Sequence, residues 1–105
     1  MAQFTVYRNP DPETKAIYPL LLDVQTDLIA ELNTRVVVPL CPASTMKGKP
    51  VNTLMPVFEI DGRQYAMLTP QLAGISKKHV GASVADLAQR RDEITAALDL
   101  LITGI

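Results

Sequence analysis

The residues that could do chemistry in this chain are few and scattered. The single cysteine, Cys41, precedes a proline, and the single histidine, His79, follows two lysines far along the chain. A nucleophilic cysteine needs a base within hydrogen-bond reach, and a metal site needs more nitrogen or sulfur ligands than this pair supplies. There is also no glycine-rich phosphate loop. We therefore expect a half-buried structural thiol, an exposed histidine, no metal and no cofactor.

Two carboxylates, Asp23 and Asp27, stand four residues apart and could suggest an acid–base pair. No histidine or lysine stands nearby in the sequence to complete such a site. Arg35 and Arg63, both expected on strands, are cations that RNA cleavage could use, but no convergent set of acid and base is evident. We predict no catalytic residue, and we interpret Thr26 or Asp27 as the cap of a turn or short helical piece.

Composition limits the class of protein. The chain has 105 residues, of which 48% are hydrophobic, so we expect one folded domain, residues 1–105, around one core. The net charge is −1, without a basic run, and aromatic residues make up 5%, which argues against the chain binding nucleic acid by itself. A lone cysteine, no signal peptide and no long apolar run predict a cytoplasmic protein that does not enter a membrane.

The elements that must position any site are mostly strands. Alternating or β-branched runs predict strands at residues 3–7, 17–24 and 35–40, and a hairpin of residues 54–60 and 63–68 around Asp61-Gly62. Polar, proline-broken stretches predict loops at 8–16 and 41–52, the second with one helical turn at 43–46, and residues 71–75 predict a short turn or strand.

The last stretch, residues 83–105, has the spacing of a helix. We expect Ser83 to cap it, with Asp86 reaching back toward the cap, and Asp86 to pair with Arg90. Gly104 is the natural end, because a left-handed residue there costs glycine nothing. The apolar stripe consists of residues at helical spacing: Val84, Leu87, Ala88, Ile94, Ala97, Leu98 and Leu101.

Two isoleucines at the chain end, Ile102 and Ile105, lie where the end of a helix is normally exposed to solvent and polar. They indicate either a frayed tip or a contact site, and in the second case a symmetric homodimer with the helix ends close to its axis. Several short antiparallel strands with one terminal helix predict a mainly β domain, a small barrel covered at one end or side by the helix.

The order of several motifs resembles the CcdB family, the toxins of plasmid-type toxin–antitoxin pairs. The similarity covers essentially the whole chain and rests on the segments at residues 3–7, 22–29, 35–40, 56–57, 67–69, 84–87 and 104–105. The resemblance implies an SH3-like barrel of short antiparallel strands with a C-terminal α-helix, forming a two-fold homodimer. It also implies a toxin that binds the A subunit of DNA gyrase and traps the enzyme on cleaved DNA.

The same resemblance implies further partners and a site. A CcdA-like antitoxin would wrap the toxin, and operator DNA would be bound only together with that antitoxin. The gyrase-binding residues implied by matching positions are Thr26, Leu28, Ile29, Asp99, Ile102, Thr103, Gly104 and Ile105. At the chain end the family's plasmid representative has Trp at the position of Thr103, Phe at that of Ile102 and Asn at that of Asp99.

Two other functions stay open from the residues. A ribonuclease toxin can share this barrel architecture, and a barrel can serve only as a non-toxic interaction module. Linear DNA that accumulates with gyrase would favour the gyrase poison, cut RNA the ribonuclease, and neither product the interaction module.

Overall fold

This computed structural model describes residues 1–46 and 53–104 of the chain. They form one antiparallel sheet that is followed by one helix. The strands run in the order β4-β5-β3-β2-β1-β7, and β6 pairs separately with β3. The strands are β1 Thr5–Arg8, β2 Leu20–Asp23, β3 Thr34–Pro42, β4 Val57–Ile60, β5 Arg63–Met67, β6 Ala73–Ser76 and β7 Ser83–Asp86, and the helix α1 is Arg91–Thr103. The predicted fold class, mainly β with a C-terminal helix, is confirmed.

Strand β3 is the longest strand, and the sheet curls around it. One edge of β3 pairs with β2, while the other edge pairs first with β6 and then with β5. Pro39 lies at this changeover, between Val37, which faces β6, and Leu40, which faces β5. Proline has no N–H to give to a ladder, so it fits where one partner strand ends and the next begins. Its carbonyl accepts a hydrogen bond from the Leu68 N–H at 3.0 Å.

The core lies on the concave side of the sheet under the helix. Leu20 and Leu22 of β2 point into it, as does Val38 of β3, while Ile94 and Ala97 bring the helix down onto it. Burying such side chains is the main source of stability, at about 25 cal/mol per Å² of apolar surface removed from water. Cys41 is buried in a second cluster with Ala66 and Leu68, so it is a structural thiol more deeply buried than we expected.

The predicted hairpin is confirmed, and its turn shows why the sequence specifies it. Asp61 and Gly62 both adopt positive φ, 51° and 79°. This is the geometry of a two-residue turn whose twist matches that of the strands, and Asp-Gly tolerates it better than other pairs do. The helical turn after Pro42 is also present, as a 3-10 turn over Ala43–Thr45.

The predicted start of the terminal helix is wrong. Ser83–Asp86 is an edge strand that pairs with β1, and a 3-10 turn over Ala88–Arg90 precedes the true helix at Arg91. Asp86 does not pair with Arg90: its Oδ1 accepts the Ala88 N–H at 2.8 Å, and Arg90 instead pairs with Glu93. The strand predicted at residues 17–24 is also shorter, because β2 begins only after Pro19.

Candidate partner-binding site

The first group of predicted site residues lies on a short turn between β2 and β3. A 3-10 turn spans Asp27–Ile29, and the hydroxyl of Thr26 caps it by accepting the Leu28 N–H at 3.3 Å. Leu28 is 89% exposed, and Ile29 is also exposed. We call Thr26, Leu28 and Ile29 the turn patch. A leucine held almost wholly in water costs free energy that contact with a partner can recover.

The second group lies on the last turn of α1. Gly104 ends the helix with φ 77°, as predicted, and its N–H donates to the carbonyls of Asp99 and Leu100. The Thr103 hydroxyl donates to the Asp99 carbonyl at 2.7 Å, so this side chain folds back on the helix. Ile102 is 70% exposed. We call Asp99, Ile102, Thr103 and Gly104 the tip patch; Ile105 lies outside the described residues.

The structure thus collects seven of the eight predicted residues into two exposed patches. Within the described ranges no hydrogen bond joins the turn patch to the tip patch. The helix packs instead against the turn at Thr69–Gln71. Each patch is therefore held by its own contacts.

Beside the turn patch lies a largely buried polar cluster that the sequence did not reveal. Arg35 is fully buried, and its Nε donates to Asp23 Oδ2 at 2.9 Å. Its Nη2 lies 2.8 Å from the same Asp23 oxygen and also donates to the Gln25 carbonyl and to Asp27 Oδ1, at 3.0 and 3.2 Å. We call Asp23, Gln25, Asp27 and Arg35 the hub.

The two acids, discounted as a pair from the sequence, thus share one arginine. A charged side chain inside each of two otherwise apolar strands was the pattern that could have revealed it, because neighbouring strands bring such residues together.

Burial sets the electrostatics of the hub. It raises the pKa of the Asp23 carboxyl above its usual value, while hydrogen bonds from Arg35 and from the Gln25 N–H act in the opposite direction. A buried ion pair of this kind adds little net stability compared with apolar residues, but losing one partner strands the other charge at a cost of about 3–5 kcal/mol. The hub therefore constrains geometry more than it stabilises the fold.

The hub also ties the turn to the start of the chain. Asp27 Oδ1 accepts the Gln3 N–H at 3.0 Å, and the Gln3 side chain donates to the Val24 carbonyl at 3.2 Å. The next residue, Phe4, has φ 68°, a left-handed conformation that costs a residue with a side chain roughly 1–2 kcal/mol. Its buried ring and its N–H bond to the Asp23 carbonyl hold it there.

A groove lies on the other face of the sheet, under the loop at residues 8–16. Its volume is about 640 Å³. Leu21 and Val37, which point away from the core, form part of its floor, and Tyr18, Lys78 and His79 are among the residues on its walls. His79 is exposed, as predicted. The loop above is braced from within, since the Asn9 amide donates to Thr14 Oγ1 and to the Tyr18 carbonyl.

Metal ligands and accessible cations bear on what chemistry the described residues could support. Among the described residues no three histidine, cysteine, aspartate or glutamate side chains are grouped to hold a metal ion. Arg35, the cation nearest to two carboxylates, has no exposed surface and cannot reach a phosphate. No helix in the described part of the chain is long and apolar enough to cross a membrane.

Comparison with known proteins places this architecture in a class and then in a family. The curled antiparallel sheet with one C-terminal helix is shared with a solved structure described as "Endoribonuclease in complex with its cognate antitoxin from Mycobacterial species". That likeness has a TM-score of 0.72 and 16% identity, and covers 97% of this chain and 94% of the other. At that identity it shows the fold alone. The family model described as "CcdB protein" matches residues 3–104, and the chain belongs to the CcdB family.

Proposed function

We propose that this protein is the toxin of a toxin–antitoxin pair, and that it binds the A subunit of DNA gyrase and traps the enzyme on cleaved DNA. The observation that carries the proposal is the exposure of Leu28 and Ile102, 89% and 70%, at positions that the family resemblance assigns to gyrase binding. A chain that has a well-filled core gains nothing in folding from leaving these two side chains in water.

The proposal includes an antitoxin and a second copy of the chain. The endoribonuclease of the same fold is described in complex with its cognate antitoxin, which supports an antitoxin for this chain as well. A two-fold homodimer would place two turn patches and two tip patches on one particle, and so let a symmetric target be bound at both halves. The proposal locates the protein in the cytoplasm, where gyrase acts, with operator DNA bound only jointly with the antitoxin.

The direct test is a cleavage-complex assay with purified gyrase. Supercoiled plasmid, gyrase and ATP are incubated with the protein, and denaturant and protease then release any trapped DNA. Linear plasmid that increases with protein concentration is the expected result, and adding the antitoxin should abolish it. A parallel incubation with RNA and no gyrase serves as the comparison.

Each outcome separates the candidates. Intact RNA together with linear DNA supports a gyrase poison. Cut RNA with intact plasmid would favour a ribonuclease toxin and refute the proposal, in which case the phosphate contact must come from residues other than the buried Arg35. If neither nucleic acid is cut at micromolar protein, the interaction module becomes the better account.

A further inference from the structure

The orientation of the turn patch is not explained by packing. None of the three residues of the Asp27–Ile29 turn is buried. A single 3-10 turn is not stable by itself, since nucleating a helical turn fixes several dihedral angles for very few hydrogen bonds. Apolar burial therefore does not hold Leu28, which is 89% exposed, in place, and it covers Ile29, which is 40% exposed, only in part.

The contacts that reach the turn from below are polar and come from the hub. Asp27 Oδ1 accepts hydrogen bonds both from Arg35 Nη2, at 3.2 Å, and from the Gln3 N–H, at 3.0 Å. Arg35 is in turn locked by Asp23 and by the Gln25 carbonyl. One carboxylate oxygen thus connects the first residue of the turn to strand β3 and to the segment that enters β1.

We propose that Asp27 and Arg35 are positioning residues, which hold the Asp27–Ile29 turn in the orientation that presents Leu28 and Ile29 to the protein's partner. The inference rests on the proposed function, because it takes the turn patch as a contact with the A subunit of gyrase. Neither residue needs to touch the partner. Arg35 is fully buried, and Asp27 Oδ1 already accepts hydrogen bonds from Arg35 Nη2 and from the Gln3 N–H.

Asp27 is the position to change, because its side chain is 58% exposed and its loss leaves the Asp23–Arg35 pair intact. Replacing Arg35 would instead leave the buried Asp23 carboxylate without its partner and destabilise the whole fold. Asp27→Ala removes the acceptor, whereas Asp27→Asn keeps an acceptor oxygen for both donors and removes only the charge. Glu31→Ala is the matched control, since it removes one exposed negative charge close to the turn and none of the hydrogen bonds described in this region.

The first measurement is amide hydrogen exchange at Leu28 and Ala30, whose N–H groups donate to the Thr26 hydroxyl and to the Asp27 carbonyl. We expect exchange at these amides to quicken about tenfold or more in Asp27→Ala, and to stay near the wild-type rate in Asp27→Asn and Glu31→Ala. The second measurement is binding to the purified A subunit of gyrase. If the native turn falls to one molecule in ten, affinity falls about tenfold, because only that fraction can bind. Asp27→Asn should restore most of it.

The variant Ile94→Val tests for a general loss of stability, because it weakens the core at a buried helix position that takes no part in the hydrogen bonds of the hub. If Ile94→Val lowers the melting temperature as much as Asp27→Ala does, it should still bind gyrase with the wild-type affinity. A loss of affinity as large as that of Asp27→Ala would overturn the positioning role. If amide exchange in the turn is unchanged in Asp27→Ala, the positioning role of the hub is refuted, while the proposed function is not affected. A wild-type chain that does not bind gyrase would refute the proposed function, and the gyrase contact of the turn with it.

Discussion

Replacing Ile102 with alanine should greatly weaken the proposed binding to gyrase while leaving the fold nearly intact, and Ile94 on the same helix provides the matched opposite case. Truncating a fully buried isoleucine costs about 2–5 kcal/mol, so Ile94→Ala, at 0% exposure, should lose that much stability. Ile102 is 70% exposed, and scaling the same cost by its smaller buried share gives about 0.6–1.5 kcal/mol. The better helix propensity of alanine returns a few tenths of a kcal/mol of this, roughly 0.4.

For binding we expect the opposite ranking: Ile102→Ala, which costs little stability, should cost much affinity. An apolar anchor at the centre of an interface is worth about 2 kcal/mol or more, which corresponds to a loss of affinity of about 30-fold. Urea unfolding measures the free energy of unfolding, and gyrase-dependent plasmid cleavage measures trapping. The reasoning is refuted if Ile102→Ala traps gyrase as well as the wild-type chain, or if its unfolding free energy falls as far as that of Ile94→Ala.

Three further predictions concern the assembly, the antitoxin and a surface ion pair. Sedimentation at micromolar concentration should give twice the monomer mass, because packing the two helix ends beside a two-fold axis would reduce the apolar area exposed there while leaving Ile102 open to gyrase; an active monomer would contradict this. Antitoxin should slow amide exchange in residues 8–16, beside the groove, and unchanged rates there would exclude that loop as its contact. The same prediction applies to residues 41–50, of which 47–50 lie outside the described residues.

The third prediction is for Glu93, whose pKa is lowered by the hydrogen bonds from Arg90, so its contribution to stability is present at neutral pH and is lost as the pH falls through that lowered value. Both side chains are half exposed, so Glu93→Gln should cost less than about 1 kcal/mol at pH 7, with no difference from wild type in strong acid.

The contrast between the hairpin and the terminal helix shows which parts of the fold local sequence determines. Asp61-Gly62 specifies its turn through its own backbone preferences, so the prediction needed no distant contact. Ser83–Asp86, by contrast, carries a helix-compatible spacing and becomes a strand only because β1 offers it an open edge nearly eighty positions earlier in the chain. Val84 and Leu87 fit the apolar face of a helix and that of a strand equally well, so the hydrophobic pattern could not decide between the start of a helix and an edge strand.

The candidate site divides in the same way. Resemblance located both exposed patches, because short motifs carry them. The hub was not located, because Arg35 reaches Asp23 and Asp27 only through the pairing of β2 with β3, which the spacing of the three residues does not show. A rule that requires catalytic partners to be close in sequence rejects such a cluster.

The hydroxyl of Thr103 bears on which residue anchors the tip patch. It donates to the Asp99 carbonyl one turn earlier, the same carbonyl that accepts the Gly104 N–H at the helix end. A threonine engaged in this way presents little apolar area, and it has no ring to stack on a partner's arginine. Among the described residues, the apolar contact that the proposal needs at the tip would therefore fall to Ile102, with Leu28 and Ile29 supplying that of the turn patch. Because Leu28 depends on the hub for its orientation and Ile102 on the helix for its own, losing the hub should weaken binding through the turn while leaving the contact at the tip in place.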